Sequence, residues 1–507
     1  MATRQERIIF DVKRLTNFTK AVLSEPRGVV GVAIIVLFIL VALGAPLMTP
    51  YDPYRDEYLA GDYASPSWLR ALPGNVHLSE NTVLLNESSG GFNNPAALSE
   101  WNISSSDPRA IAMYSSNVGD LKSGPGSLAI EYVRESGEAT GTVEVIIEKD
   151  LDYPYVDAPK RFTANYSFLA NGVEGLQEIQ VQAVIVRRNH DGSVDNFALG
   201  TDKFLSSSDL WSVATELDSY SGRVKNLFPA TQDPSLIIFN TTVGLSFSYR
   251  LRISIVDSDG SKNVHLVAFV DGANLRMHGN SFGWLGTDQV GRDIFSQLVY
   301  GCRISLLVGL LSAVLSVVIG LFVGVVAGYV GSLVDEFLMR FTDMLLVLPN
   351  LPLLLVLIAV LGPSMWNLIL LIGVLGWMGF ARVVRSQTLS LKERPFVEAA
   401  KAVGARKLYI ITRHIVPNVM SLVYVTLALS VPGSIIAEAA LSFLGLFDPS
   451  VMSWGRMLHD SMAISRSVEK WWWIMPPGLA IAALSLSFIL IGYAIDDILN
   501  PKLRQRR

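Results

Sequence analysis

Residues Ile304–Tyr329 read ISLLVGLLSAVLSVVIGLFVGVVAGY and carry no charged side chain. A helix needs roughly 18 or more apolar residues in succession to cross the hydrocarbon core of a bilayer. This stretch is longer than that and has no acidic or basic residue to interrupt it. It therefore predicts a transmembrane helix in the second half of the chain.

Further apolar runs lie on both sides of this stretch, at residues Gly28–Met48, Met344–Leu361, Trp366–Phe380, Val419–Leu441 and Ile474–Ala494. Together they predict an α-helical polytopic membrane protein with about six transmembrane helices. Pro349 and Pro352 should break or bend the start of the third helix, because proline cannot donate a backbone hydrogen bond. Residues 28–48 form the predicted first transmembrane helix.

Basic residues mark the segments predicted to be cytoplasmic. They are frequent in the N-terminal segment 1–27, in the loop 382–414 and in the C-terminal tail. Because lysine and arginine concentrate in short cytoplasmic segments, both termini and this loop are predicted to face the cytoplasm. A cleaved signal peptide is the alternative for the first run, but the charged leader and the apolar run are both long for one.

Residues 52–283 contain no comparable apolar run and have a different charge. They hold 29 acidic and 17 basic residues, a balance of −12, whereas the whole chain is −4 and the remainder is +8. A large acidic domain between two membrane helices is predicted to be exported, since long domains are translocated regardless of their charge. We therefore expect an extracytoplasmic insert at 52–283 and a membrane core at 284–507, with no nucleic-acid binding.

The insert has the sequence pattern of β structure. Runs that alternate or are rich in β-branched residues occur at Ser127–Val133, Gly141–Ile147, Glu178–Arg188, Ser235–Asn240, Ser246–Val256 and Val264–Val270. The clusters Asn189–Gly192 and Asp257–Gly260 are hairpin-like turn signals. Strands at this spacing predict an all-β sandwich or jelly roll.

The basic loop contains Glu398, Ala399 and Ala400, followed by Gly404. The two alanines allow close approach of a partner surface, and Gly404 permits a sharp turn without a Cβ penalty. Pro417 suits the first turn of the next helix. These features suggest a protruding helical hairpin that docks on another protein; an ordinary basic amphipathic linker is the alternative.

This stretch resembles the EAA loop of ABC-importer permeases, in which a coupling helix fits a groove on the ATP-binding subunit. Three further segments are similar to the permeases of the dipeptide, oligopeptide and nickel type, in particular to their C-type subunit. They are Trp284–Asp293 with Tyr300–Leu306, Glu438–Leu446, and Ser453–Gly455. The resemblance covers residues 1–50 and 284–507. It does not cover the insert, which is a departure from the family.

The resemblance implies the ABC-importer permease fold and a set of partners. These are a homologous second permease subunit, two ATP-binding subunits, an extracytoplasmic solute-binding protein and membrane lipid. It places the coupling function at Glu398, Ala399, Ala400 and Gly404. Short peptides are the first substrate class that it implies, with oligosaccharides and nickel as alternatives.

Two other places carry candidate residues. Glu438 is a carboxylate near the end of an apolar run, and such a group is costly at membrane depth unless it is paired or hydrated. It is predicted to lie on the translocation path or outer gate, with an interfacial hydrogen-bonded position as the alternative. Gly286, Asp288, Arg292 and Asp293 are predicted to form a structural polar turn, with contact to a docked binding protein as the alternative.

Several function classes lack their sequence features. The chain has no GxxxxGK[ST] phosphate loop, one cysteine, and six histidines without metal-ligand spacing. We therefore expect no enzymatic activity, no bound metal and no cofactor, with ATP held by partner subunits. An anchored extracellular carbohydrate- or protein-binding module and a proton-coupled secondary transporter are the alternatives from other classes. Five further apolar runs argue against the first, and the scarcity of ionisable residues within the runs argues against the second.

Overall fold

The computed structural model describes residues 19–83, 92, 94–120, 124–207, 210–462 and 470–499. The chain forms two compact units, one made of Met1–Asp56 with Ile294–Arg507 and the other of Glu57–Asp293. The second unit ends later than the predicted insert because residues 288–291 pair with its first residues. Tyr58 N donates to Val290 O at 3.0 Å, and Tyr63 N donates to Asp288 O at 2.9 Å.

The first unit is helical. Its helices are α1 (Pro26–Met48), α2 (Ile294–Val330), α3 (Ser332–Val347), α4 (Asn350–Leu361), α5 (Met365–Gly376), α6 (Met378–Lys392), α7 (Pro395–Ala402), α8 (Lys407–Ile410), α9 (Val416–Phe443), α10 (Trp454–Met462) and α11 (Trp471–Leu499). A π-helical turn, Ile411–Ile415, joins α8 to α9. In the described residues four helical stretches are long and apolar enough to cross a membrane, or six if each of two bent helix pairs counts as one span.

The bent pairs refine the predicted third and fourth helices. α3 and α4 meet at 90°, with Pro349 between them and Pro352 in the first turn of α4. This break follows from the prolines, as expected. α5 and α6 meet at 41° at Trp377, where the sequence has no proline, and α6 continues to Lys392. The predicted loop 382–414 is therefore helical over its first third.

The acidic link between α2 and α4 is neutralised by α6. Arg385 donates to both carboxylate oxygens of Asp335, with Nη2 at 2.6 Å from Oδ2, and Arg382 pairs with Asp343. These acids lie on α3, and both arginines lie on α6. Two acids of this link are thus paired with arginines that are distant in sequence.

A buried hydrogen bond joins the end of α1 to the start of α2. The hydroxyl oxygens of Thr49 and Ser296 are 2.5 Å apart, and both side chains are buried. The two helices between which the second unit is inserted are therefore held together at that point within the helical unit itself.

The second unit contains two antiparallel sheets. Its strands are β1 (Thr82–Val83), β2 (Asn102–Ser105), β3 (Ala110–Ser115), β4 (Ser127–Arg134), β5 (Gly141–Leu151), β6 (Arg161–Asn171), β7 (Glu178–Asn189), β8 (Val194–Phe204), β9 (Ser212–Asp218), β10 (Gly244–Asp257) and β11 (Val264–His278). One sheet has the order β3-β4-β11-β6-β9, with β1 paired to β11, and the other has the order β2-β5-β10-β7-β8. Short helical turns occur at Ser67–Ala71, Pro95–Leu98, Gly222–Lys225 and Pro234–Ile238.

A shared hydrophobic core lies between the sheets because side chains alternate along each strand. On β10, Tyr249, Leu251 and Ile253 are fully buried, while the intervening Arg250 and Arg252 face outward and pair with acids of β5. This period of two is what a half-buried strand requires. The predicted fold class, a helical membrane protein with an inserted β sandwich, is confirmed.

Most predicted strands are present, and two local predictions are wrong. Ser235–Asn240 forms a helical turn instead of a strand, because Asp233 caps it by accepting from Ser235 N at 2.9 Å. The Asn189–Gly192 turn connects the paired strands β7 and β8. Asp257–Gly260 is not a hairpin, since it joins β10 and β11, which belong to different sheets.

Candidate functional site

The first candidate site is the segment Pro395–Ile410, which we call the coupling segment. α7 begins at Pro395, where the missing backbone donor costs nothing. Gly404 ends it in the left-handed region, at φ +83°. Gly404 N donates to Lys401 O at 2.9 Å, and Ala405 N donates to Ala400 O at 3.0 Å. This pair of bonds is the Schellman motif, which satisfies the last carbonyls of the helix.

One side of the coupling segment is buried in the helical unit, and we call its buried residues the root. Val397 and Ile410, together with Ile415 of the π-helical turn that follows, are at most 1 % exposed. They pack in one hydrophobic cluster with residues of three longer helices, Val325 of α2, Val384 of α6 and Val419 of α9. The segment is therefore fixed to those helices through its buried side chains.

The other side is exposed and apolar. Val403 is 89 % exposed, Leu408 is 71 % exposed, and Phe396 and Tyr409 are about half exposed. Glu398 and Ala399 are exposed as well, whereas Ala400 is half-buried. Exposed apolar side chains clustered on a short hairpin are typical of a protein–protein contact.

Sequence reasoning placed Glu398, Ala399, Ala400 and Gly404 in this hairpin but missed the apolar residues beside them. Val403 and Leu408 are ordinary hydrophobic residues in the sequence, and their exposure depends on the turn at Gly404. The available signal was their position on either side of a helix-ending glycine. In the structure Val403 and Leu408 are exposed, as are Glu398, Ala399 and Gly404, whereas Ala400 packs against the buried cluster.

The second candidate site surrounds Glu438, near the C-terminal end of α9. Its side chain is 2 % exposed, and Ser442 Oγ donates to its Oε1 at 2.8 Å. Ser453 is a second polar neighbour of the carboxylate. Glu438 is thus buried and held by a hydrogen bond.

Small residues bring three helices together beside Glu438. A Cβ on Gly455 of α10 would lie 2.7 Å from Ala439 Cα, and a Cβ on Gly301 of α2 would lie 3.0 Å from the Trp454 ring. Trp454 is 1 % exposed and donates from Nε1 to Leu298 O at 2.9 Å. Membrane helices approach closely where one surface has no side chain. Three of the sequence motifs, at residues 300–306, 438–446 and 453–455, therefore meet at one packed site.

The coupling segment and the Glu438 site lie at opposite ends of α9. From Val416 to Glu438 the helix rises about 33 Å at about 1.5 Å per residue. α9 is continuous between them, although Pro432 lies within it. One helix thus connects the root of the exposed hairpin to the buried carboxylate.

The third candidate site, Gly286–Asp293 in the second unit, is a hydrogen-bonded turn. Asp288 is fully buried and accepts from Val290 N and Arg292 N at 2.9 Å and from Arg292 Nε at 2.8 Å. Gly286 and Gly291 have φ values of +73° and +74°. Arg292 and Asp293 are both buried. The carboxylate of Asp288 therefore stabilises the turn that contains it.

Metal ligands are not grouped at any of these places. Within the described ranges, with their gaps at 84–91, 93, 121–123, 208–209 and 463–469, no cluster of three or more His, Cys, Asp or Glu side chains could hold a metal ion. The described sites offer exposed contact surfaces and hydrogen-bonded packing between helices.

Comparisons with known proteins place the helical unit in a family. Residues 320–505 match the model for the binding-protein-dependent transport system inner membrane component, and residues 20–66 match the N-terminal TM domain of oligopeptide transport permease C. These matches include the coupling segment and the Glu438 site.

Curated relatives agree with the family models. The dipeptide transport system permease protein of Bacillus subtilis is 40 % identical over 223 residues, which are 44 % of this chain and 69 % of that protein. The oligopeptide transport system permease protein of Haemophilus influenzae is 42 % identical over 222 residues, 44 % of this chain and 71 % of that protein. The glutathione transport system permease protein of Shigella flexneri is 40 % identical over 225 residues, 44 % of this chain and 73 % of that protein.

Solved structures give weaker similarities. An amino acid ABC transporter is 16 % identical with a TM-score of 0.30, covering 42 % of this chain and 94 % of that one. A family 22 carbohydrate-binding module of Clostridium thermocellum is 12 % identical with a TM-score of 0.21, covering 38 % of this chain and 99 % of that one. At these scores neither similarity bears on function.

Residues 20–66 and 320–505, which the two family models match, include most of the helical unit, the coupling segment and Glu438, and they include none of the β strands. The chain is therefore a multi-pass membrane protein that belongs to the family of binding-protein-dependent transport system inner membrane components, the permease subunits of ABC transporters.

Proposed function

We propose that this permease carries short peptides across the membrane as one subunit of an ATP-driven importer. The relatives are named for dipeptides, oligopeptides and glutathione, which is itself a tripeptide. An oligosaccharide or nickel is the alternative cargo. Two ATP-binding subunits, a second homologous permease and an extracytoplasmic solute-binding protein complete the machine.

The observation that carries the proposal is the exposed apolar side of the coupling segment. Val403 and Leu408 are the most exposed large apolar residues there, at 89 % and 71 %. Removing apolar area from water is favourable by about 25 cal/mol per Å², before the costs of association are subtracted. The buried root at Val397 and Ile410 lets a movement of the docked partner reach α9.

We propose that the second unit is extracytoplasmic and that both termini are cytoplasmic. The proposal rests on the −12 balance of residues 52–283 and on the basic segments in the rest of the chain. Exposed basic residues of the coupling segment, Lys401, Arg406 and Lys407, belong to the cytoplasmic side in this arrangement. The Gly286–Asp293 turn then has a structural role at the outer end of α2.

The mechanism is alternating access driven from the coupling segment. ATP-driven closure of the partner subunits moves α7 and α8, and the rooted cluster transmits this movement to α6 and α9. Packed helices rearrange between discrete states and do not deform continuously. At the far end of α9, Glu438 and Ser442 hold the close contact with α10, and we propose that this contact is the outer gate.

Co-purification of the importer tests the proposal. Val403→Asp places a charge on the exposed apolar side without touching the buried root. Val194→Asp is the matched control, since Val194 is 51 % exposed at the start of β8 in the second unit. From native membranes we expect the wild type and the control to retain ATP-binding subunits, a second permease and a binding protein. Val403→Asp should lose the ATP-binding subunits and keep the second permease.

Two results would count against the proposal. Retention of ATP-binding subunits by Val403→Asp, at the level of the control, would show that the hairpin is not the docking surface. If the wild-type chain purified alone, the exposed hairpin would not be a contact with the other subunits of an importer. Peptide uptake with the wild-type assembly, competed by di- and tripeptides, then decides the cargo class.

A further inference from the structure

The second unit contains a cleft to which the proposed transport mechanism assigns no role. Four segments line it: the loop at Tyr58 and Asp62, the first residue of β6 (Arg161), the end of β9 with Tyr220, and the turn at Gln289. It encloses about 500 Å³ and is open to one side. This volume fits one to two rings of a small ligand, since ligand sites generally measure about 300–1,000 Å³.

Arg161 is the fixed centre of the cleft. Its guanidinium carbon lies 3.8 Å from the ring centroid of Tyr58 and 5.5 Å from that of Tyr220. It also forms an ion pair with Asp218. The backbone of Tyr58 is held by a hydrogen bond from its N to Val290 O, so the tyrosine and arginine positions are set by the fold.

Asp62 carries unused hydrogen-bonding capacity in this cleft. Its Oδ1 is shielded from solvent and accepts no hydrogen bond from the described part of the chain. Burial raises the pKa of this carboxyl, although Arg161 and Lys160 counteract the shift. A buried acceptor without a donor costs about 1–3 kcal/mol. A ligand that brings a donor to Asp62 would recover part of that cost.

The cleft carries charges of both signs. Asp62, Asp218 and Arg161 line it, and Asp218 is already paired with Arg161. Lys160 and Asp288 lie close enough to Asp62 to shift the pKa of its carboxyl in opposite directions. An anion would meet two carboxylates, and a cation would meet the guanidinium. A neutral ligand with many donors and acceptors fits this arrangement best.

Two partly exposed tyrosines add apolar surface to these polar groups. Tyr58 is 41 % exposed and Tyr220 is 38 % exposed, and both line the cleft. An aromatic ring offers a flat face to the C–H side of a sugar ring, while its hydroxyl stays polar. Carboxylate, guanidinium and amide groups around it can accept from and donate to hydroxyls.

We propose that this cleft binds a neutral oligosaccharide, with Asp62 accepting from sugar hydroxyls and Tyr220 packing against a sugar ring. The second unit is then a saccharide-binding module attached to the permease, whatever solute the permease carries. The inference rests on the cleft alone and is independent of the coupling segment.

Calorimetric titration of the full-length protein in lipid nanodiscs tests the proposal. The probes are neutral pentasaccharides of β-1,4-linked glucose, β-1,4-linked xylose and α-1,4-linked glucose, with triglycine as a zwitterionic comparison. We expect at least one pentasaccharide to bind and triglycine not to bind. Asp62→Ala and Tyr220→Ala should each weaken that binding about tenfold or more.

Three further variants separate recognition from damage to the fold. Tyr220→Trp keeps an aromatic face and should preserve binding, whereas a purely structural role would make it as harmful as alanine. Asp150→Asn alters an exposed acid on β5, with 82 % of its side chain accessible, and should leave binding unchanged. Val403→Asp should also leave it unchanged, so failure of the transport proposal is distinguishable from failure of this one.

The proposal is overturned if none of the pentasaccharides binds. It is equally overturned if a pentasaccharide binds with the same affinity to Asp62→Ala and Tyr220→Ala, because the site then lies elsewhere. Binding of triglycine in the cleft, lost in the same two variants, would replace the saccharide with a peptide ligand.

Discussion

Substitutions at Gly404 test why the coupling segment needs glycine. Its φ of +83° is in the left-handed region, and no atom lies within 4 Å of a Cβ built on it. Within this subunit a side chain therefore meets no steric obstacle, and the penalty is conformational. That penalty is about 1 kcal/mol for alanine and about 2 kcal/mol for a β-branched residue, while asparagine adopts this region more readily.

The penalty should appear as weaker binding of the partner. In the variants the turn at residue 404 relaxes out of the left-handed region, and docking must restore it. We expect the Kd for the ATP-binding subunits to rise about fivefold in Gly404→Ala and about thirtyfold in Gly404→Val. Gly404→Asn should lie between the wild type and Gly404→Ala. The assay is titration of detergent-solubilised permease with fluorescently labelled ATP-binding subunits, with Val194→Asp as the control.

The order of the variants separates two explanations. If the cause is conformational, Gly404→Asn should bind the ATP-binding subunits more tightly than Gly404→Ala. If the cause is close approach by the partner, Gly404→Ala should bind more tightly, because alanine is smaller than asparagine. An asparagine variant that binds more weakly than the alanine variant would refute the backbone explanation. Equal binding by the valine variant and the wild type would remove Gly404 from the docking site.

The remaining predictions concern a buried histidine and the buried glutamate. Burial, together with Arg161 and Arg276, lowers the pKa of His278 to about 4, so between pH 6.5 and 4 the unfolded state binds more protons than the folded state. Acidification from pH 7 to 5 should therefore lower the free energy of unfolding of the second unit by about 2 kcal/mol more in the wild type than in His278→Gln. Thermal unfolding at each pH measures this difference. An equal loss of stability in the two proteins would contradict the prediction. Glu438→Gln keeps an oxygen that accepts from the Ser442 hydroxyl, so this variant should transport at near wild-type rates. Glu438→Leu removes that acceptor. It should therefore lose about 1–3 kcal/mol of stability and transport more slowly. Equal transport by the two variants would remove Glu438 from the proposed gate.

Local chemistry explains which parts of the fold could be predicted from the sequence. The apolar runs, the Pro349 break and the period-two strands depend on residues that lie close together in the chain. The bend at Trp377 has no such local cause, and Ser235–Asn240 has the β-branched composition of a strand but is capped as a helix by Asp233. The Asp257–Gly260 turn has hairpin residues, yet its two strands pair with different sheets through contacts that are distant in sequence.

The candidate sites divide in the same way. Glu398, Ala399, Ala400 and Gly404 could be named as candidates from their order and spacing, and their coupling role stays a prediction. The exposure of Val403 and Leu408 and the cleft around Arg161 could not be found, because they depend on how distant segments meet. Asp62 and Tyr220 are separated by more than 150 residues in the chain, and they line the same cleft only in the folded domain.

The hydrogen bond between Thr49 and Ser296 makes the helical unit tolerant of what is placed between them. α1 and α2 are joined at this point by their own side chains, and the inserted chain does not have to hold them together. The entropic cost of closing a loop grows only slowly with its length, so a long insertion at such a point is tolerated almost as well as a short one. The junction is thus a grafting position: the helical unit can gain, lose or exchange an inserted domain here while its helices keep their own contacts.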